Sequence, residues 1–127
     1  MSLDLEDTTG AIIEAAIEVH RELGPGFLES VYESALVVES ELRRVPFVRQ
    51  YAVPVVPRYV EVGLHRLDLF VANQVVVELK SVREIAPEHF AVVRPYLRAV
   101  GHFHGLLLNF AKPTQEIKRV LARQPPR

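Results

Sequence analysis

The stretch VEVGLHRLDLFVANQVVVELK, residues 60–80, holds two runs rich in Val and Leu on either side of the short polar link Ala72-Asn73-Gln74. That pattern predicts a β-hairpin. A turn centred on Asn73 pairs Val71 with Val75, and the same register sets Asp68 directly opposite Glu78. Side chains alternate along a strand, so Glu78 and Lys80 share a face, while Leu67, Leu69, Val75, Val77 and Leu79 point to the other, buried face. A one-residue slip would separate the two acids, so the turn length is decisive.

Upstream of the hairpin the period is helical. Ile12, Ile13, Ala16, Ile17, His20 and Leu23 form one stripe over residues 8–23, with Thr8 or Thr9 as the expected N-cap and Gly24-Pro25-Gly26 as the stop. A second helix is expected over about residues 28–43, with Leu28, Val31, Tyr32, Ala35, Leu36, Glu39 and Leu42 along one side. The run from Phe47 to Val56 is extended, and Pro46, Pro54 and Pro57 confine it to a sheet edge or end it early. Beyond the hairpin, residues 81–86 form a loop and Pro87 opens a helix reaching about Val100, with a kink expected near Ala91 because Pro95 removes its backbone partner. Phe103 to Asn109 reads as a buried strand. Thr114 is then expected to cap a short last helix ending near Leu121, before a frayed tail. The predicted order is ααβββαβα in one domain, residues 1–127, with an ordered core of about residues 8–121.

Composition bounds what such a domain does. The chain has 127 residues, 49% of them apolar and 24% charged. These are the proportions of an ordinary globular protein and exclude a disordered or collagen-like chain. The absence of cysteine excludes disulfides, thiolate zinc sites and a cysteine nucleophile. No apolar run approaches the length of a membrane span and the N-terminus is acidic, so the expected location is the cytoplasm. The net charge of −1 hides an asymmetry. Residues 1–42 carry ten acids against one base, and residues 43–127 carry fourteen bases, eleven of them arginine, against six acids. The flat fork of arginine suits phosphate, so the basic section admits nucleic-acid binding. The same asymmetry equally fits acidic helices lying on a basic section, with the charges cancelling.

The chemistry gathers in the hairpin. Two facing carboxylates repel unless a proton or a cation resolves the conflict. Oxygen ligands of this kind suit Mg²⁺ or Mn²⁺, and an adjacent lysine stabilises developing negative charge or orients a water. Metal, polarised phosphate and activated water are what phosphodiester hydrolysis requires. The same residues also fit a surface ion pair on a solvent-facing strand, and spacing alone does not choose between the two. The histidines carry less. His102 and His104 stand two apart at a strand start, but no third ligand has zinc-like spacing, and His20, His65 and His89 read as satisfied or surface residues. There is no Gly-rich phosphate loop and no Ser-His-Asp arrangement.

Five blocks in order carry a resemblance: Gly26-Phe27-Leu28-Glu29-Ser30-Val31-Tyr32, which reads G-x-x-E-x-x-Y; Arg66-Leu67-Asp68-Leu69; Val77-Glu78-Leu79-Lys80; Tyr96-Leu97; and Leu106-Leu107-Leu108-Asn109-Phe110. Together they resemble the GxxExxY family, small bacterial and archaeal proteins of the PD-(D/E)xK nuclease superfamily. The resemblance covers about residues 8–121. It implies an α/β, restriction-endonuclease-like core, a mixed sheet of about four strands flanked by helices. It also implies a Mg²⁺- or Mn²⁺-dependent phosphodiesterase acting on nucleic acid, DNA first. By it Asp68 is the central metal ligand, Glu78 the second, Glu29 the first acidic position near the metal, and Lys80 the lysine of the E-x-K element, so that Glu29, Asp68, Glu78 and Lys80 form the catalytic set. Related nucleases carry Gln-x-x-x-Tyr on the following helix. Here Tyr96 is present, Val92 stands at the glutamine position, and Arg94 and Arg98 are the phosphate-contacting candidates. Two other readings stand beside the enzyme: a non-catalytic nucleic-acid- or protein-binding module on the same fold, and a homo-oligomer associating through its acidic helices.

Overall fold

The computed structural model describes residues 4–55, 63–102 and 104–122. Its elements in chain order are α1 (Leu5–Leu23), α2 (Glu29–Leu42), β1 (Phe47–Val55), β2 (Gly63–Val71), β3 (Val75–Lys80), α3 (Pro87–Ala99), β4 (His104–Asn109) and β5 (Glu116–Leu121). The strands form one mixed sheet in the order β1-β2-β3-β4-β5. The β1–β2, β2–β3 and β4–β5 pairs are antiparallel, and β3 and β4, joined through α3, run parallel. Helices cover both faces. Ile12, Tyr32 and Leu36 of α1 and α2 pack with Leu69, Val77, Leu79 and Leu106 on one side. Val93 and Leu97 of α3 pack with Phe70, Val76 and Leu107 on the other. Sandwiched in this way, β3 and β4 are apolar almost without interruption, which is what a strand buried on both faces requires.

The expected α/β class, the hairpin and the edge position of β1 all hold. Val71 does face Val75 across the Ala72-Asn73-Gln74 link, where Ala72 and Asn73 take left-handed backbone angles. Pro87 occupies the first turn of α3, and His89 is satisfied as expected, its Nδ1 accepting the Ala86 N–H at 2.8 Å. His20 is satisfied too, its Nε2 2.7 Å from the Lys112 carbonyl. The expected strand ends at Val56, Pro57, Val60 and Phe103, and the expected frayed C-terminal tail, lie outside the described residues.

Four expectations are corrected. The last helix is a strand: β5 pairs with β4, giving five strands and the order ααβββαββ. Ile117 and Val120 are three apart, a helical spacing, yet they serve opposite faces, Ile117 joining the α1/α2 side and Val120 the α3 side. Side chains alternate along a strand, so residues an odd number apart point to opposite faces. The N-cap of α1 is Asp4, whose side chain accepts the Asp7 N–H at 2.8 Å, and Thr8 lies within the helix. The buried stripe of α2 is Tyr32, Glu33, Leu36 and Ser40, leaving Leu28 76% and Leu42 74% exposed. It is rotated because Glu33 turns toward polar partners on β1. Finally, Leu67 does not share a face with Leu69; it packs on the α3 side.

Candidate metal centre

Asp68 and Glu78 come together as the hairpin register demands. Ladder pairing between β2 and β3 runs from Val71↔Val75 to Leu69↔Val77, so the next opposed pair is Asp68 and Glu78. There the side chains replace the backbone bonds. The Asp68 N–H donates to Glu78 Oε1 at 3.2 Å, and the Leu79 N–H donates to Asp68 Oδ2 at 2.8 Å. Each acid is thus tied to the other's strand, and the two carboxylates meet where the strands part.

Electrostatics mark this pair out. Burial pushes the Glu78 carboxyl up to about 8, and the charge of Asp68 adds to the rise while Lys80 opposes it. The Asp68 carboxyl is also raised, first by burial and then by the charge of Glu33, against the stabilising Leu79 N–H. Both shifts run the same way, toward a bound proton or cation that would relieve the repulsion between the two carboxylates. Elsewhere acids meet cations directly: Glu33 is bound by Arg49 Nε at 2.7 Å, and Glu116 by Lys112 at 2.8 Å. Among the described residues the one basic group within ion-pair distance of the dyad is His65, whose Nε2 lies 3.9 Å from Glu78 Oε1, and burial holds that imidazole below its ordinary pKa. Lys80 makes no ion pair among the described residues.

This donor set fits a hard divalent cation. Mg²⁺ is ordinarily held by one or two carboxylates and keeps several waters. Among the described residues no group of three or more His, Asp and Glu side chains is arranged as a ready-made cage. A two-carboxylate site completed by water is therefore the arrangement these residues can supply, with Asp68 and Glu78 as its protein ligands.

Glu29 stands in the first turn of α2, exposed, with its Oε2 accepting the Ser81 N–H at 3.3 Å. It is fixed to the C-terminal end of β3, one residue beyond Lys80. The G-x-x-E-x-x-Y block shows why it is there. Gly26 has φ +114, which suits glycine, and the Tyr32 hydroxyl donates to the Gly24 carbonyl at 2.6 Å while accepting the Phe27 N–H at 3.1 Å. Tyr32 is fully buried and stacks on Phe110 with centroids 4.5 Å apart, so turn and helix start are locked to the core. From the other side Asn109, also fully buried, holds the loop after Lys80 by bonding both the N–H and the carbonyl of Val82.

Tyr96 reaches the site through a partner, its ring stacked on His65 with centroids 4.0 Å apart. Arg94 is engaged elsewhere, donating to the Leu121 carbonyl at 3.2 Å and lying over Phe90. Arg98 is exposed, as are Arg66 and Arg83, and none of the three forms an ion pair among the described residues. Charge cancellation between the acidic helices and the basic section is real but partial: Arg43 meets Glu14 and Glu39, and Arg49 meets Glu33. A cavity of about 790 Å³ lies toward the turn end of the hairpin, lined in part by Arg44, Phe47, Val48, Tyr51 and Phe70, and includes none of the candidate acids. Chemistry here is therefore located by charge and not by volume.

Sequence reasoning missed Glu33, Gln50 and His65. Glu33 is the acid whose charge bears on Asp68, and Gln50 links the two, its Nε2 2.6 Å from Glu33 Oε1 and 3.5 Å from Asp68 Oδ1. One signal was available: Glu33 follows Glu29 by four residues and so lies on the same helix face.

The raised carboxyls make stability depend on pH. A carboxyl raised in the folded state contributes stability that is present below its ordinary pKa and lost as pH rises through its folded one. The metal-free protein should therefore lose stability, on the order of a few kcal/mol, between about pH 4.5 and pH 8. Glu78→Gln should flatten that slope and melt above wild type at pH 9 in chelator. Thermal melts across the range check this, and a wild-type curve flat from pH 5 to 9 would count against the buried dyad.

A family model described as the PD-(D/E)XK nuclease superfamily matches residues 6–120. No curated protein and no solved structure gives a match. No helix among the described residues is long and apolar enough to cross a membrane.

Proposed function

The chain belongs to the PD-(D/E)XK nuclease superfamily, and from that premise we propose that it is a divalent-metal-dependent nuclease hydrolysing phosphodiester bonds, with DNA the first candidate substrate. Within the superfamily the G-x-x-E-x-x-Y block, Gly26 to Tyr32, resembles that of the GxxExxY group and supports assignment to it. The observation that carries the proposal is the Asp68–Glu78 dyad: two carboxylates brought together and tied to each other's strand, with His65 the one ion-pair partner within reach among the described residues. Asp68 and Glu78 would hold Mg²⁺ or Mn²⁺, which supplies Lewis-acid charge to the phosphate and acidifies water. Lys80, on the same strand face as Glu78, orients the attacking water and stabilises charge developing on the phosphate. Glu29 completes the site from the α2 end, and the exposed Arg66, Arg83 and Arg98 supply phosphate contacts.

A second reading has one observation in its favour. Val92, at the position where related nucleases carry glutamine, is 55% exposed on α3 and offers no hydrogen bond to a substrate. A module that binds nucleic acid without cutting it would tolerate that. The experiment is incubation of purified protein with single-stranded DNA, duplex DNA and RNA, in Mn²⁺ and in chelator. Cleavage in Mn²⁺ that chelator abolishes is the expected result. Intact substrate throughout, together with salt-sensitive binding, would replace the nuclease with the binding module.

A further inference from the structure

We propose that Gln50 is a positioning residue of this centre, a neutral strut that holds the Asp68 carboxylate against the Leu79 N–H without cancelling its charge. The inference rests on the metal-site reading above and adds a residue to it.

Gln50 sits inside β1 with φ +53, a left-handed angle that costs a non-glycine residue about 1–3 kcal/mol. Ladder pairing with β2 continues on either side, Arg49↔Leu69 and Tyr51↔Leu67, and skips Gln50 and Asp68 between them. The strand turns over at this point. Phe47 packs on the α1/α2 side and Arg49 reaches Glu33 and Ser34 of α2, whereas Tyr51 and Val53 pack on the α3 side. Opposite, Leu69 and Leu67 are split between the same two sides about Asp68. In a regular strand 49, 51 and 53 would share a face. The reversal at Gln50 and Asp68 is what lets one acid be reached from α2 while Glu78 is reached by His65 from the α3 side.

The side chain explains why the strain is kept. Glu33 and Asp68 are close enough for the charge of one to raise the carboxyl of the other. A carboxamide nitrogen carries two protons, and this one has two acceptors in line, Glu33 Oε1 at 2.6 Å and Asp68 Oδ1 at the 3.5 Å limit of a hydrogen bond. Arg49 takes the charge of Glu33, at 2.7 Å. Gln50 on one oxygen and the Leu79 N–H on the other are both neutral donors, so they fix the Asp68 carboxylate without setting a cation against it. A lysine or arginine at 50 would occupy the site that the metal needs.

Two variants separate backbone from side chain. Gln50→Gly keeps the left-handed angle at no steric cost and deletes the amide, and Gln50→Asn tolerates the angle and restores an amide. Hydrogen exchange of the Leu79 amide in metal-free protein reads the position of Asp68 directly. Exchange at Leu79 should quicken at least tenfold in Gln50→Gly, with the β3–β4 ladder amides unchanged, and part of the protection should return in Gln50→Asn. Mn²⁺ affinity by calorimetry should fall at least tenfold in Gln50→Gly. Leu79 exchange at the wild-type rate in Gln50→Gly overturns the strut, whatever metal does. Leu79 freed with Mn²⁺ affinity unchanged overturns its link to the metal. If wild type itself takes up no Mn²⁺, the metal-site reading fails, and Leu79 exchange still decides whether Gln50 positions Asp68.

Discussion

Asp68→Asn should remove Mn²⁺ binding and metal-dependent cleavage together while leaving the fold intact. Asparagine keeps an oxygen that can accept the Leu79 N–H, which Asp68 accepts at 2.8 Å, so no buried donor is orphaned at a cost of about 1–3 kcal/mol. What goes is the charge. Glu78 is then the single carboxylate at the pair, and an ion that dehydrates reluctantly loses half of the anionic charge that would hold it there. Cleavage should fall by on the order of 10³-fold or more, equivalent to about 4 kcal/mol of transition-state stabilisation. The same substitution removes a charge that raises the Glu78 carboxyl. Metal-free Asp68→Asn should therefore be more stable than wild type at pH 8 while being inactive. Calorimetry, cleavage assays and melts on one preparation check all three. Residual Mn²⁺-dependent cleavage near the wild-type rate would move the centre away from Asp68.

The contrast between what was and was not legible in the chain follows the range of the signals. The hairpin is local: a three-residue link between two apolar runs fixes Val71 against Val75, and that one pairing carries Asp68 to Glu78. The G-x-x-E-x-x-Y block is local too, because Gly26, Glu29 and Tyr32 act within one turn and one helix start. By contrast β5 reads as a helix because Ile117 and Val120 sit three apart, a spacing that a strand also allows when the two side chains serve opposite faces, and only its pairing with β4 settles which. Gln50 was out of reach for a different reason. Its place beside Asp68 depends on a β1–β2 register spanning residues outside any short window, and glutamine does not advertise a left-handed angle as glycine or asparagine would. His65 likewise gains meaning only when α3 brings Tyr96 onto it.

Lys80 is where chemistry and ligation part company. It shares a strand face with Glu78, two residues away, and its charge lowers the carboxyl that burial raises. Its backbone is pinned, the carbonyl accepting the Phe110 N–H at 2.9 Å, but its ammonium forms no ion pair among the described residues. A charge left uncommitted beside a pair of acids gains most from negative charge that appears only during reaction. Such an interaction raises the rate without tightening the ground state. Lys80→Ala should then lower the cleavage rate on the order of a hundredfold, about 2.7 kcal/mol, as loss of one preorganised donor typically does. Mn²⁺ affinity should change by no more than about threefold, since an ammonium is not a metal ligand. Lys80→Arg should recover part of the rate, because the charge returns on a different geometry. Rate and affinity falling in parallel in Lys80→Ala would make the lysine a support for Glu78 alone. An unchanged rate would leave it a solvated strand end, and would take from the centre the group assigned to the attacking water.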